Sequence, residues 1–273
     1  MKKEGNMSRT DYTQMPAARQ AAIYALAQQK GVVKVADLAE EFGVTEMTIR
    51  RDLKVLERKG LLERAHGHAI CNAHIGLEPL YAQKSALHQG EKAAIGKLAA
   101  SLINRGDTVF VNSGSTTIQF LEQLDIDAKI VTNNPLAPIH IRSSKLEVYL
   151  TGGELRQESL TLVGESTVRS IKEIIANKAV VGVDGFSIRY GLTNPTQAES
   201  WVNRLMVKRT HGEVILVADS SKLGRVANFQ TAPISAVNTI VTDSAMDPVN
   251  VAEFKRLGIR VLIADADPKP QAG

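Results

Sequence analysis

Short apolar runs alternate with helical patterns from about residue 91 onward, and this alternation limits the possible folds more than any other feature of the sequence. Strands are predicted at 108–111, 129–132, 146–150, 179–183, 214–218, 239–242 and 260–263. Helices fit the segments between them, at 92–104, 116–123, 135–143, 166–176, 198–210 and 249–257. Because strands of parallel sheets are buried on both faces and joined by helical crossovers, this pattern predicts a mostly parallel α/β domain over residues 91–265.

The first quarter of the chain predicts three helices followed by a hairpin. Helices are expected at 17–30, 35–42 and 45–59. The apolar residues of the second helix recur at i, i+3, i+4 and i+7, as Val35, Leu38, Ala39 and Phe42. Gly43 suits a tight turn, Thr45 suits the N-cap of the third helix, and 61–69 predicts a short hairpin, or wing. Residues 16–74 therefore predict a winged helix-turn-helix.

The third helix has an apolar face and a basic face. Ile49, Leu53 and Leu56 project to one side, and basic side chains to the other, with Arg50 at the flank. Arginine can bind guanine edges and lysine can bind phosphates, so this helix and the wing are expected to contact double-stranded DNA. The residues predicted to make these contacts are Thr45, Met47, Thr48, Arg50, Arg51, Lys54, Arg58, His66 and His68. A solvated surface helix is the alternative, but the order of short helix, turn, capped basic helix and wing favours DNA binding.

Composition is compatible with this function without requiring it. The 273 residues carry a net charge of +4, which is mildly basic. No apolar run approaches the length needed to cross a bilayer, so no membrane association is expected. The single cysteine, Cys71, excludes an intrachain disulfide and suits a reducing cytoplasm. The remaining segments are predicted as a disordered arm (1–15), a linker (75–90) and a flexible tail (266–273).

Histidines near the wing allow a second interpretation of that region. His66, His68, Cys71 and His74 approximate the spacing of metal ligands. A hairpin places His66 and His68 on one face but does not force the other two to converge with them. No metal and no cofactor are therefore predicted.

Polar residues follow five of the predicted strands. The carboxyl ends of parallel strands meet at one edge of a sheet, where ligands of such sheets bind. The first of these turns is rich in hydroxyls and opens into a helix, which favours binding of a phosphate or carboxylate. The predicted effector-binding residues here are Asn112, Ser113, Gly114, Ser115, Thr116, Thr117, Asn133, Asn134, Gly152, Gly153, Asp184 and Lys222.

Glu199 is added to this predicted site because it follows the turn-rich segment 191–195. That segment is expected to form a lid, from which the carboxylate would reach effector hydroxyls. Lys208 and Arg209 lie on the same predicted helix and are interpreted as part of a solvated face.

Residues 35–57 resemble the signature of the DeoR family of bacterial transcriptional regulators. The family usually follows it with a His-Gly-Gly-Ala wing, where this chain has His66-Gly67-His68-Ala69. The resemblance continues through Glu91-Lys92, 112–117, 132–134, Gly152-Gly153 and 219–222. It implies a sensor domain similar to ribose-phosphate isomerases and CoA transferases that binds sugar phosphates without transforming them, and it implies repression.

Two functions remain open at this point. The first is a repressor of a carbohydrate-utilisation operon, whose affinity for its operator depends on a phosphorylated sugar or sugar-alcohol effector. This repressor is expected to form a homo-oligomer, a dimer or tetramer, that contacts two half-sites. The alternative is a sugar-phosphate isomerase or CoA-transferase-like enzyme fused to a DNA-binding module, with Asp184 or Glu199 as its base. No Walker A, dinucleotide-binding, HExxH or GxSxG motif is present, so a non-enzymatic regulator is predicted.

Overall fold

The computed structural model of the protein describes residues 15–30, 32–58, 61–65, 68–71 and 80–265. The chain divides into two compact units, Met1–Ile75 and Gly76–Gly273. Residues 1–14 of the predicted arm and the predicted tail 266–273 lie outside the described residues. None of the described helices is long and apolar enough to cross a membrane.

The N-terminal unit contains three helices and a small antiparallel sheet. Its elements are α1 (Pro16–Lys30), β1 (Val32–Lys34), α2 (Val35–Phe42), α3 (Glu46–Arg58), β2 (Leu62–Ala65) and β3 (His68–Cys71), and the strand order is β1-β3-β2. Ile23, Ile49 and Leu53 are fully buried between the helices. The predicted winged helix-turn-helix is thus confirmed, and β1 is an additional strand.

The turn between α2 and α3 forms as the sequence predicts. Gly43 has φ +64 in the left-handed region, which glycine adopts without a steric penalty. The amide of Val44 donates to the Ala39 carbonyl (3.1 Å) and the Gly43 amide donates to the Glu40 carbonyl (3.3 Å), which ends α2. Thr45 then caps α3, because its Oγ1 accepts a bond from the amide of Thr48 at 3.3 Å.

The C-terminal unit is built on a seven-stranded parallel sheet. Its strands are β4 (Thr108–Val111), β5 (Ala128–Thr132), β6 (Leu146–Leu150), β9 (Ala176–Val181), β12 (Thr210–Val217), β14 (Thr239–Asp243) and β15 (Arg260–Ala264), in the order β15-β14-β12-β9-β4-β5-β6. The smaller strands are β7 (Glu154–Arg156), β8 (Thr161–Val163), β10 (Gly185–Ser187), β11 (Gly191–Asn194) and β13 (Phe229–Ala232). The helices are α4 (Tyr81–Ala86), α5 (Gln89–Ala100), α6 (Ser115–Gln123), α7 (Ala137–His140), α8 (Glu165–Lys172), α9 (Gln197–Lys208) and α10 (Pro248–Arg256).

Helices cover both faces of this sheet. Phe110 of β4 packs into the cluster that contains residues of α8, α9 and α10, and its neighbours Val109 and Val111 pack into the cluster that contains residues of α5 and α6. Successive strand residues point to opposite faces, so each strand contributes to both cores. The predicted fold class, a winged helix-turn-helix followed by a mostly parallel α/β domain, is confirmed.

Three parts of the sequence analysis differ from the structure. The helix predicted at 135–143 is only the single turn α7, because the Asn134 side chain and carbonyl bond the amides of Leu136 and Ala137 in a local turn. The segment 191–195 is not a lid: Gly191–Asn194 is the buried strand β11, paired with β10 and β13. The second half of the predicted linker 75–90 is helical, since it forms α4 and the start of α5.

Candidate functional site

Helix α3 carries the candidate DNA-binding surface. Its buried side, with Ile49 and Leu53, packs into the core of the N-terminal unit, and this orientation leaves Met47, Arg51 and Lys54 exposed. Arg50 is also exposed and pairs with Glu46 at 2.8 Å, one turn earlier in the helix. Within the described part of the chain, the side chains of Arg51 and Lys54 have no hydrogen-bond or ion-pair partner, which leaves both available to a polyanion.

A buried ion pair holds this helix in place. The Arg19 Nε of α1 lies 2.6 Å from Asp52 Oδ2, and the two side chains are 4% and 5% exposed. Gln20 donates a further bond to Asp52 Oδ1 at 2.9 Å. The sequence analysis did not identify this pair, since its partners lie 33 residues apart. Asp52 faces the core directly beside the exposed Arg51 and so sets the orientation of the basic face.

The wing is anchored by two buried side chains, Leu62 of β2 and Ala69 of β3, which pack into the core of the N-terminal unit. Strands β2 and β3 pair from Leu62 with Cys71 to Ala65 with His68. His66, His74 and the side chains of Arg58, His68 and Cys71 lie outside the described residues. The predicted DNA contacts of the two wing histidines and of Arg58 therefore stay predictions.

The second candidate site lies at the carboxyl edge of the seven-stranded sheet. Asn112, directly after β4, bonds Gly182 twice: its Nδ2 donates to the Gly182 carbonyl and its Oδ1 accepts from the Gly182 amide, both at 2.8 Å. Asn133, after β5, accepts from the amide of Ser113 at 2.9 Å and donates to the Leu162 carbonyl at 3.0 Å. These two amide side chains fasten neighbouring strand ends together, so they shape the site rather than offer free groups to a ligand.

The start of α6 is open to an anion. The backbone amides of 114–117 have no acceptor within the described part of the chain, as expected for the first turn of a helix. The hydroxyls of Ser115 and Thr116 also have no partner there, whereas Thr117 Oγ1 donates to the Asn112 carbonyl at 2.7 Å. We call these four amides and two hydroxyls the anion cradle, since the amides at the start of a helix are directed toward an anion bound there.

A hairpin borders the anion cradle. Strands β7 and β8 are joined by a turn in which Leu160 has φ +49, and the Leu160 carbonyl accepts a bond from Ser113 Oγ at 2.9 Å. Two buried polar atoms of this region, Asn134 Nδ2 and Ser159 Oγ, have no hydrogen-bond partner among the residues that the structure describes. Native proteins rarely leave such atoms unsatisfied, so both are candidates to bond water or a ligand atom.

The glycine pair predicted for the site has a packing role. The Gly152 carbonyl accepts a bond from Thr167 Oγ1 of α8 at 2.6 Å. Gly153 has φ +120, and a Cβ there would overlap the same hydroxyl. The close approach of this turn to α8 accounts for Gly153, and the left-handed φ of +66 accounts for Gly152, where a Cβ would meet no neighbour. Their part in effector binding stays a prediction.

Ionic side chains gather at the ends of β9 and β12. Asp184 accepts from Lys84 Nζ at 3.0 Å and from Asn194 Nδ2 at 3.2 Å. Burial opposes ionisation of Asp184, yet its pKa lies below the ordinary value because Lys84 and Lys222 favour the carboxylate. We call the interacting groups the ion cluster, namely Lys84, Lys92, Asp184, Asp219, Lys222 and Arg225.

The cations of the ion cluster are incompletely paired. Burial lowers the pKa of Lys222, and in the described part of the chain its ammonium has neither a hydrogen bond nor an ion pair. Arg225 Nε and Asp219 Oδ2 are buried and have no hydrogen-bond partner in the described ranges. Burial also lowers the pKa of Lys92 to about 8, although its Nζ donates to the carbonyls of Lys84 and Leu87. An anionic ligand would stabilise these charges.

Glu199 does not stand on a lid. It is 5% exposed in the first turn of α9, and its Oε1 lies 3.2 Å from Arg156 Nε of β7. The preceding strand β11 instead contributes Asn194, which bonds Asp184. The sequence analysis missed Lys84, Asn194 and Arg225, because Lys84 was assigned to a linker and none of the three directly follows a predicted strand.

Two family models match the chain. The DeoR-like helix-turn-helix domain matches residues 19–74, and the DeoR C terminal sensor domain matches residues 87–244.

Curated relatives are similar over both units, and a solved structure is similar over part of the chain. The HTH-type transcriptional regulator GlpR of Haloferax volcanii is 33% identical over 250 residues, covering 91% of this chain and 98% of that protein. The lactose phosphotransferase system repressor of Lactococcus lactis subsp. lactis is 30% identical over 232 residues, covering 83% and 90% respectively. The probable sor operon regulator from Shigella flexneri aligns with a TM-score of 0.42 at 14% identity, covering 58% of this chain and 87% of that one.

Proposed function

Because this chain belongs to the DeoR family of transcriptional regulators, we propose that it represses a carbohydrate-utilisation operon under the control of a phosphorylated sugar or sugar alcohol. The resemblance found in residues 35–57 is confirmed by the family matches. The lactose phosphotransferase system repressor is one relative whose name states this kind of target. The observation that carries the effector proposal is the anion cradle. It lies at the same sheet edge as Lys222, whose ammonium has no partner among the described residues.

Operator binding is assigned to the exposed face of α3. Arg51 and Lys54 point away from the core and are unpaired in the described residues, so binding DNA breaks no internal bond of theirs. Arg50 must share its charge with Glu46 at 2.8 Å, which suits a supporting contact to phosphate. A helix-turn-helix gains affinity from two half-sites, so the protein acts as a homo-oligomer in the cytoplasm.

Effector binding is assigned to the carboxyl edge of the sheet. A phosphoryl group accepts from the amides of 114–117 and the hydroxyls of Ser115 and Thr116, where the helix dipole adds to the attraction. The strand order β4-β9-β12 sets the ion cluster one and two strands away, about 5–10 Å from the cradle. This is the reach of a short polyol chain, whose hydroxyls would meet Asp184 and Asn194.

Asp184 is a poor base, which supports a sensor over the alternative of an isomerase. A general base works best with a pKa near the operating pH. The pKa of Asp184 is instead lowered, because Lys84 and Lys222 outweigh the effect of burial. The other candidate base, Glu199, is engaged by Arg156. Both carboxylates are suited to accept hydrogen bonds and not to abstract a proton from carbon.

A thermal-shift experiment on the full chain tests the effector site. Inorganic phosphate, ribitol 5-phosphate and ribitol are compared, and the two phosphates should raise the melting temperature while ribitol does not. Ser115→Ala should reduce both shifts, and Ser144→Ala, at an exposed serine with no side-chain bond among the described residues, should not. Stabilisation by ribitol and other unphosphorylated sugars, with none by either phosphate, would overturn the proposal.

A further inference from the structure

We infer that Lys84 is part of the effector site and that its ion pair with Asp184 communicates effector occupancy to the segment leading from the DNA-binding unit. This inference rests on the proposed effector site at the sheet edge. Helix α4, which carries Lys84, is the first described element after the N-terminal unit in the chain. Any signal carried along the chain between the two units passes through this helix.

Lys84 ties α4 to the candidate site directly. Its Nζ lies 3.0 Å from Asp184 Oδ1, and the two side chains are 17% and 13% exposed. The partners lie 100 residues apart in sequence, so the pair exists only when α4 is docked on the sheet edge. A largely desolvated ion pair is stronger than a surface one, and breaking it on one side leaves a charge without its partner.

Lys92 fixes the end of the same segment. From the first turn of α5 its buried ammonium donates to the carbonyl of Leu87 at 2.6 Å and to the carbonyl of Lys84. Lys84 lies in the last turn of α4 and Leu87 directly follows the helix, so neither carbonyl has a partner inside this six-residue helix. Lys92 therefore couples the backbone of Lys84 to the ion cluster.

A third contact ties α4 to the anion cradle. The amide of Tyr81 donates to the Glu158 carbonyl at 2.8 Å, in the turn of the β7–β8 hairpin. Two residues further on, the Leu160 carbonyl of the same turn accepts from Ser113 Oγ beside the cradle. The start of helix α4 is thus bonded to the hairpin that borders the anion cradle, and its middle is bonded through Lys84 to Asp184 of the ion cluster.

Effector binding must change the docking energy of α4 because it uses the same atoms. A hydroxyl that donates to Asp184 shares the carboxylate with Lys84, and a phosphoryl group attracts Lys222, which otherwise favours the Asp184 carboxylate. A ligand shifts an equilibrium by its different affinity for two states. Here the two states are α4 held by Asp184 and α4 released from it.

The test uses hydrogen exchange and operator binding with the full-length protein, so it does not require the natural effector. Lys84→Met and Asp184→Asn each remove one side of the pair. Both variants should exchange the amides of 81–88 faster than the wild type. Both should also shift the operator dissociation constant in the same direction, by at least about fivefold. The double variant should match the single variants, because either change alone breaks the tie. Lys84→Arg keeps the charge and should retain slow exchange.

A matched control and a ligand arm complete the experiment. Lys129→Met breaks an exposed lysine–glutamate pair, Lys129 with Glu147 at 3.4 Å, and should leave both measurements unchanged. Ribitol 5-phosphate should shift operator affinity in the wild type and not in Lys84→Met, which should still bind inorganic phosphate. Unchanged exchange in both single variants, or fully additive effects in the double variant, would overturn the role of Lys84. If the proposed effector site is itself wrong, the result is different, because the wild type then binds neither inorganic phosphate nor ribitol 5-phosphate.

Discussion

Replacing Asp52 with alanine should unfold the DNA-binding unit and leave the sensor unit folded. Asp52 lies 2.6 Å from Arg19 with both side chains about 95% buried, and it also accepts a bond from Gln20. Removing one partner of a buried ion pair costs about 3–5 kcal/mol, since the other charge stays buried without its counter-ion. A unit of roughly 60–75 residues has a free energy of unfolding of about 3–10 kcal/mol. The expected loss is therefore comparable to its whole stability.

The two units can be followed separately in one urea titration. Trp201 is the single tryptophan of the chain and lies on α9 in the sensor unit, so its fluorescence reports that unit alone. Far-ultraviolet circular dichroism reports the helices of both units. In Asp52→Ala the part of the circular dichroism signal that comes from the DNA-binding unit should be lost at a much lower urea concentration than in the wild type. The midpoint of the Trp201 fluorescence transition should stay at the wild-type value.

Two controls separate burial from charge. Glu46→Gln breaks the pair with Arg50, whose side chains are about half exposed, and should cost less than about 1 kcal/mol. Replacing both partners, as Arg19→Met with Asp52→Leu, should recover most of the stability because no buried charge remains. A loss below about 1 kcal/mol in Asp52→Ala, or a parallel shift of the Trp201 transition, would refute this account.

Three further results are expected from the site geometry. Arg51→Ala should weaken binding to the operator by about 1–3 kcal/mol with little effect on binding to random DNA, whereas Lys54→Ala should lower the slope of log affinity against log salt concentration by about 1. Gel-shift titrations at several salt concentrations check both variants. Equal losses of affinity for operator and random DNA in Arg51→Ala would make Arg51 a phosphate contact. Ser115→Ala should weaken binding of ribitol 5-phosphate by about 1.5–3 kcal/mol without changing operator affinity of the effector-free protein, as measured by calorimetry and anisotropy. The affinity for ribitol 5-phosphate should fall above about pH 8, because the pKa of Lys92 is about 8 and the pKa of Lys222 is also lowered. At higher pH the anion must bind together with a proton, and calorimetry in buffers of different ionisation enthalpy measures this proton uptake. Binding at pH 9 without proton uptake would contradict the prediction.

Features that depend on neighbouring residues were predictable. The apolar residues of α2 recur at helical spacing, Gly43 has the left-handed conformation of a helix end, and Thr45 bonds the amide three residues on. Each of these depends on atoms within one or two helical turns. The seven parallel strands follow from apolar runs of strand length in the same way, and so does the polar character of the residues after them.

Local pattern was misleading where a distant contact decides the conformation. The run of turn-forming residues at 191–195 forms strand β11, because β10 and β13 lie on either side of it and supply its hydrogen bonds. The segment 80–90 has no marked periodicity, yet α4 forms because Asp184, Glu158 and Lys92 bond it from elsewhere in the fold.

The sequence alone determined the class of each unit, the basic face of α3 and the position of the anion cradle, because helix periodicity, capping and strand alternation are properties of short segments. Only the tertiary structure decided which polar groups are free to bind a ligand. Asn112 and Asn133 follow strands just as Lys222 does, but packing turns their amides onto Gly182 and Ser113, while the Lys222 ammonium stays unpaired among the described residues. Lys84 reaches Asp184 across 100 residues, and no local pattern specifies such a meeting. Hydrogen-bond satisfaction depends on every strand and helix that converges at the site, so it is a property of the assembled fold.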